Sequence, residues 1–320
     1  MKSDRLVVAS RGSKLALEQA RIVTDLIKSA HPGVQIEVRS VTTAGDRDRR
    51  PFAAIGGKGL FVKELERELL EGRADIAVHS AKDLTAELAN GCAIVCWPLR
   101  GAVHDVVVGG RGETGQQRLV TLPSGATVGT SSMRRRALLA ELRSDLEVVD
   151  LRGNLDTRLA KVREGEMDAA ILAAAGLERL SSLNADAAAL DPERWIPPPG
   201  QGALAVEARA DRVDIAELLG PLNDAQVRAE VASERAFAAR LEGGCSVPLG
   251  CLARAEGGRL IATGYLGHPD GHDFLRDRIS GGVGEAEFLG LQLAEAILAA
   301  GGAELRDEIG GLKAPEVASP

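Results

Sequence analysis

The chain has 320 residues, 45% of them hydrophobic and 27% charged, with a formal net charge of -7. That length suits two or three domains with buried cores, while the acidic balance and the scarcity of aromatics (five Phe, two Trp, one Tyr) argue against nucleic acid as a global partner. No run reads as a signal-peptide core or a membrane span. Cys92, Cys96, Cys245 and Cys251 form neither a disulfide framework nor a zinc pattern, so free thiols, no structural metal and a cytoplasmic location are expected.

In chain order, Arg5 to Ser10 reads as a buried strand, Arg11 to Lys14 as a turn and Leu15 to Ala30 as an amphipathic helix. A strand over Val34 to Val41, a helix over Leu60 to Leu70 and a strand over Ala74 to His79 follow, implying βαβ crossovers and a largely parallel sheet. The pattern repeats. Strand Ala126 to Gly129 leads into a helix ending near Arg143, then strand Leu146 to Leu151, helix Leu155 to Glu164 and strand Asp168 to Ala174. Pro197-Pro-Pro-Gly-Gln-Gly202 is a stiff connector, and the strand Ala203 to Ala208 after it can return to the first sheet.

Beyond Pro221 a long helix (Asn223 to Leu241) precedes strands near Val247 to Ala255, Arg259 to Gly267 and Phe274 to Ser280, and a helix from Glu285 to Ala299. The expected fold is two α/β lobes, residues 1–102 with 201–220 and residues 103–200, plus a C-terminal α+β domain, 221–320, with a three-stranded antiparallel sheet. Lys313 to Pro320 reads as a tail.

Basic residues concentrate at loops and helix starts, which suits a small polyanion held in a cleft of an acidic protein. Gly129-Thr-Ser-Ser-Met-Arg-Arg-Arg136 places hydroxyls and arginines where a helix N-terminus favours an anion, with two arginines expected to bind and one to be solvated. Leu151-Arg-Gly-Asn-Leu-Asp-Thr-Arg158 repeats that design, with Asn154 as cap, and Ser10-Arg-Gly-Ser13 is a third such junction. Lys82 and Asp83 follow a buried strand at its carboxyl end, where open α/β sheets bind ligands. Ile55-Gly-Gly-Lys-Gly-Leu60 lacks the Ser or Thr of a phosphate loop and reads as part of a lid over the cleft, with Lys58 and Phe61. In Leu241-Glu-Gly-Gly-Cys-Ser-Val-Pro248 the paired glycines and the proline present the Cys245 thiol at an element's end.

Taken together, Ser10-Arg-Gly-Ser13, Gly56-Gly-Lys-Gly-Leu-Phe-Val-Lys-Glu64, Asp75-Ile-Ala-Val-His-Ser-Ala-Lys-Asp83, Gly129-Thr-Ser-Ser-Met-Arg-Arg135, Leu151-Arg-Gly-Asn154, Gly200-Gln-Gly-Ala203 and Leu241-Glu-Gly-Gly-Cys245 resemble the porphobilinogen deaminase (hydroxymethylbilane synthase) family almost end to end. The resemblance implies a transferase that joins four porphobilinogen units with loss of ammonia and releases hydroxymethylbilane for tetrapyrrole (haem or chlorophyll) biosynthesis. It implies a dipyrromethane primer in thioether linkage to Cys245, Asp83 as catalytic carboxylate, and cofactor contacts from Lys82, Asp83, Thr130, Ser132, Arg134, Arg135, Arg152 and Gly153. Substrate contacts fall to Arg11, Ser13, Arg152, Arg158, Arg179 and Gln201.

A monomer is expected, with uroporphyrinogen-III synthase as the next enzyme and no membrane partner. Thr85 stands where many members carry proline and Ala54 where some carry a lysine, departures that bear on loop stability and substrate affinity. The rival from another class is a two-lobed solute receptor, since periplasmic binding proteins share the lobe architecture. The third domain with Cys245 favours the enzyme.

Overall fold

Unbroken apolar runs such as Val106-Val-Val108 and Ala169-Ala-Ile-Leu172 are buried on both faces, which a sheet covered by helices on both sides requires. The computed structural model describes residues 5–41, 62–181, 186–241 and 247–311. The first half of the chain forms β1 (Arg5–Arg11), α1 (Lys14–Ala30), β2 (Gln35–Val41), α2 (Lys63–Leu70), β3 (Ile76–Ser80), β4 (Cys92–Cys96), β5 (Asp105–Gly109), α3 (Gly115–Val120), β6 (Thr127–Gly129) and α4 (Met133–Leu142). There follow β7 (Glu147–Val149), α5 (Leu155–Arg163), β8 (Ala169–Ala173), α6 (Ala174–Arg179), β9 (Ala187–Ala189), β10 (Leu204–Arg209) and α7 (Val213–Leu219). The last part holds α8 (Ala225–Arg240), β11 (Leu249–Glu256), β12 (Arg259–Gly267), β13 (Phe274–Gly282), α9 (Ala286–Ile297) and α10 (Ala303–Gly311).

The strand orders are β2-β1-β3-β10-β4, β7-β6-β8-β5-β9 and β11-β12-β13. In each five-stranded sheet the fourth strand runs antiparallel to both of its neighbours. That strand is the one entered after crossing between lobes: β5 follows the crossing out of the first sheet, and β10 follows the return. Pairing of β11 with β12 and of β12 with β13 is antiparallel throughout. The expected mixed architecture of two α/β lobes and a separate antiparallel sheet is therefore present.

The two crossings lie side by side. Gly101 N–H donates to Gly202 O at 2.9 Å, Leu204 N–H to Leu99 O at 3.1 Å, and Arg100 bridges Ala203. Gly202 adopts φ +84°, and a Cβ there would sit 2.5 Å from Gly101 O, so only glycine lets the strands approach so closely.

α8 is held to the crossings by charge. Arg100 donates to Glu230 at 3.0 Å and to Glu234 at 2.8 Å, and Glu234 also accepts from Gly200 N–H at 2.6 Å and Ala253 N–H at 2.8 Å. These buried ions are fully engaged, as burial demands. Phe237, Leu249, Leu293 and Ile297 make the third domain's core.

The 29-residue helical stretch Val283–Gly311 contains an 18-residue window of mean hydropathy 1.3, long and apolar enough by composition for a membrane span where the sequence reading expected none. It is broken at Gly301 (φ +108°), and Leu289, Leu293, Ala294, Ile297, Leu305 and Ile309 are buried in the third domain's core. Its apolarity is thus spent on packing. The lid residues Lys58 and Phe61, the thiol Cys245 and the tail from Lys313 lie outside the described residues.

Candidate active site

Strand ends and helix starts converge between the first two sheets on a cavity of about 220 Å³. Arg11 and Ser13 come from the end of β1 and the turn after it, Lys82 from the 3-10 turn that follows β3, and Gly153 and Arg158 from the entry to α5. Arg135 of α4, Arg179 of α6 and Gln201 of the return crossing complete the wall. Asp83 lines an adjoining pocket with Arg11, Ser13 and His79. The cavity thus opens at the carboxyl ends of the parallel strands, where their loops are free to hold a ligand.

Its wall is strongly cationic. Arg11, Lys14, Lys82, Arg135, Arg158 and Arg179 line it, whereas Asp156 is the single carboxylate among its described lining residues. Lys82 is open to the cavity but ringed by protein, and that desolvation brings its amine down to about 8 despite the neighbouring Asp83. Its hydrogen-bond contact with Gln201 Oε1 is long, at 3.5 Å. Desolvation likewise takes Arg179 down to about 10 and lowers Arg158, on which the Arg135 charge also bears. Cations gathered at such cost fit a ligand that brings several carboxylates.

The run of three arginines differs from expectation. Arg134 and Arg135 are both buried and close on Asp105: Arg134 Nη2 donates at 2.7 Å, Arg135 Nη2 at 2.7 Å and Arg135 Nε at 3.0 Å. Trp195 Nε1 at 3.1 Å and Gln201 Nε2 at 3.0 Å donate to the same carboxylate. Although desolvation opposes it, this ring of donors and charges holds Asp105 far below the usual carboxylate range. Arg134 also donates to Ile196 O at 2.8 Å and is not among the residues that line the cavity. Arg136, expected to be solvated, is half-buried and reaches Val148 O at 3.4 Å.

Thr130, Ser132 and Arg152 stand just outside the cavity lining. Thr130 is 2% exposed and accepts from Ser132 N–H at 3.2 Å, while Ser132 caps α4 by accepting from Arg135 N–H at 3.4 Å, so both hydroxyls serve the helix start and neither lines the cavity. Arg152 is half-buried, donates to Asp150 at 2.6 Å and stands beside the wall rather than in it. Ser13 combines two tasks, lining the cavity and capping α1 through Ala16 N–H. Asn154 occupies the cap position of α5 without a side-chain capping bond, leaving that helix start open to the cavity.

Gln201 is wholly buried. Its amide donates to Val103 O at 2.7 Å and to Asp105 while its carbonyl oxygen faces Lys82, so it positions the lysine. Arg179 donates to Gly202 O at 2.6 Å. Gly200, at φ +75°, brings this crossing against the turn that carries Lys82, because a Cβ there would lie 2.9 Å from Ala81 Cβ. Beyond Asp83 the Thr85 carbonyl accepts from Arg235 of α8 at 2.8 Å, which secures the segment that lacks the expected proline. Residues missed in the sequence include Asp105, Gln19, which donates to Ser80 at 2.8 Å, and the ion pair of Lys14 with Asp156 across the cavity mouth.

Fold and site together define a two-lobed protein with a cationic interlobe cavity and an appended third domain. Residues 6–217 match the family model described as porphobilinogen deaminase, dipyromethane cofactor binding domain, and residues 228–299 match porphobilinogen deaminase, C-terminal domain. The porphobilinogen deaminase of Roseiflexus sp. (strain RS-1) is 47% identical over 301 residues, 94% of this chain and 98% of that protein. The porphobilinogen deaminase of Maridesulfovibrio salexigens is 41% identical over 306 residues, 95% and 98% of the two chains.

The periplasmic binding protein STM4351 of Salmonella typhimurium is similar with a TM-score of 0.41 and 11% identity, over 69% of this chain and 92% of that one. The two-lobe fold rests on the strand orders rather than on that likeness. The chain belongs to the porphobilinogen deaminase family. It is a transferase that polymerises porphobilinogen with loss of ammonia on a dipyrromethane primer and yields hydroxymethylbilane for tetrapyrrole biosynthesis.

Proposed function

We propose that Cys245 carries the dipyrromethane, that Asp83 is the catalytic carboxylate, and that the cationic wall holds the carboxylates of primer and growing chain. The carrying observation is the imbalance of that wall, with six cations against Asp156. Dipyrromethane, when bound, would supply the free pyrrole α-carbon to which the first porphobilinogen unit is joined, later units being added at the free end of the growing chain. Lys82, Arg135 and Gly153 are assigned to its side chains, and Arg11, Ser13, Arg158 and Arg179 to those of substrate. Asp83, beside Arg11 and the Lys82 turn, stabilises the cation left when ammonia departs and orients pyrrole N–H groups.

The other thiols support the choice of Cys245. Burial pushes Cys92 and Cys96 up to about 12 and raises Cys251, so each stays protonated and unreactive at neutral pH. Their unpaired state also accords with a reducing, cytoplasmic compartment. A monomer suffices, because one chain supplies the whole described wall of the cavity, and its product, destined for haem synthesis, passes to uroporphyrinogen-III synthase.

The test is intact mass. Protein made in cells with a working tetrapyrrole pathway should exceed its sequence mass by two porphobilinogen units less two ammonias, with the addition on Cys245. A bare wild-type mass, or a Cys245→Ser protein that keeps both adduct and activity, would overturn the assignment.

A further inference from the structure

Away from the cavity, the β12–β13 turn presents His268-Pro-Asp-Gly-His272, and α10 lies against it. His268 is 5% exposed. Its Nδ1 hydrogen-bonds to Asp270 Oδ1, and His272 Nδ1 meets the same oxygen at 2.6 Å. The two rings are 4.0 Å apart between centroids. One carboxylate oxygen therefore lies against the Nδ1 of both imidazoles, and in the neutral rings with Nδ1 donating, each Nε2 keeps its lone pair for a metal.

Both Nε2 atoms face one further group. Glu308 Oε1 of α10 lies 3.9 Å from His268 Nε2 and 3.8 Å from His272 Nε2. Those separations are too long for hydrogen bonds, and His268 Nε2 is buried without a partner. With the rings neutral, two lone pairs and a carboxylate face one point, an arrangement that a cation between them would hold together.

We propose that His268, His272 and Glu308 form a binding site for a divalent ion of the zinc class. Zinc at 2.0–2.1 Å from imidazole nitrogen and carboxylate oxygen sets neighbouring donors roughly 3.3 Å apart in a tetrahedron, so Glu308 has to draw about half an ångström closer to each Nε2 than its 3.9 and 3.8 Å. Glu308 is half exposed and free to supply that shift. Asp270 plays the part that a carboxylate commonly plays behind a metal-bound histidine, accepting the other ring N–H and orienting the ring. Water completes the set.

Such an ion would clip the last helix onto the hairpin. That hairpin also touches the second lobe, since a Cβ on Gly271 would lie 2.5 Å from the backbone of Ala140 and Glu141, and Arg276 pairs with Glu141 at 2.8 Å. The sequence expectation of no structural metal weighed only histidines near the cysteine pairs, and this set needs no cysteine.

The test uses the full chain carrying its cofactor, stripped by chelator and then titrated with Zn²⁺ alone, with bound zinc counted per chain. Co²⁺ in place of zinc reports geometry through visible absorption. One zinc per chain, a tetrahedral cobalt spectrum and a higher melting temperature with zinc are expected. His272→Gln and Glu308→Gln change partly exposed side chains outside the reaction site and should lose at least tenfold in affinity with turnover intact; Asp270→Asn should lose tenfold to a hundredfold. Absence of binding by the wild type, or equal binding by His272→Gln and Glu308→Gln, would overturn the proposal, and neither result would touch the assignment of the transferase.

Discussion

Gln201 of the return crossing donates to Asp105 at the head of β5 at 3.0 Å, so the segment that closes the first sheet is bonded to the strand that completes the second. Asp105 in turn is the shared counter-charge of Arg134 and Arg135. Asp105→Asn leaves two buried guanidinium groups without a counter-charge and should cost about 3–5 kcal/mol of stability. Urea denaturation reads it as a lower midpoint at unchanged slope. Because Asp105 ionises more readily folded than unfolded, its contribution is complete above the unfolded carboxyl value, about 3.9, and fades as pH falls below it toward the lower folded value. A wild type whose stability is flat from pH 6 to pH 2, or an Asn variant as stable as wild type, would refute this.

Arg135→Lys and Arg158→Lys should separate scaffold from site. Arg135 grips Asp105 with two nitrogens, a geometry lysine cannot copy, so its variant should melt earlier. Arg158 makes its one described side-chain bond to Gly153 O, so its variant should melt like wild type and instead accumulate partly extended enzyme-bound intermediates. Native mass spectra and a melting curve on both proteins check the split.

Asp83→Asn keeps shape and removes charge. Since Asp83 sits exposed at the end of the β3 turn, the variant should fold normally, take up cofactor slowly and lose roughly two orders of magnitude or more in turnover. Wild-type turnover of porphobilinogen would exclude Asp83 as the catalytic carboxylate.

Lys82 predicts a pH dependence. Desolvation brings its amine down to about 8, below its unfolded value, so the cavity wall loses one positive charge as pH rises from 7 to 9. Affinity of cofactor-free protein for a polycarboxylate should fall across that range, and Lys82→Gln should bind more weakly but without that fall. The same sign makes the folded protein gain stability as pH rises from about 8 toward the unfolded lysine value, because the desolvated charge is given up. Equal pH profiles for wild type and Lys82→Gln would refute the assignment.

Local chemistry was the most legible part of the sequence. The Ser13 cap, the strand that ends at the Lys82 turn and the two hairpins of the third domain each follow from neighbouring residues. Asp105 was hidden because its five donors come from residues 29 to 96 positions away, and no spacing rule links an acid before Val106-Val-Val108 to Arg134. Arg134 looked like a ligand contact for the same reason: a helix-start arginine reads alike whether its fork meets substrate or a buried aspartate. β9 is three alanines with little strand preference of their own and exists through pairing with β5. The helix α10 was missed since Gly301 and Gly302 read as a terminus, whereas they only turn the chain.

The exchange of fourth strands also governs how the protein can be made. A ribosome that has released β1 to β4 has produced a first sheet with a gap between β3 and β4, to be filled only when β10 emerges more than a hundred residues later. Until then two strand edges stand unpaired, the condition under which nascent chains seek wrong partners. The second sheet is finished earlier, because β5 to β9 are contiguous in the chain. Synthesis should therefore complete the middle of the molecule first, and a fragment ending before Leu204 should bind chaperones persistently while its second sheet is already protected from proteolysis.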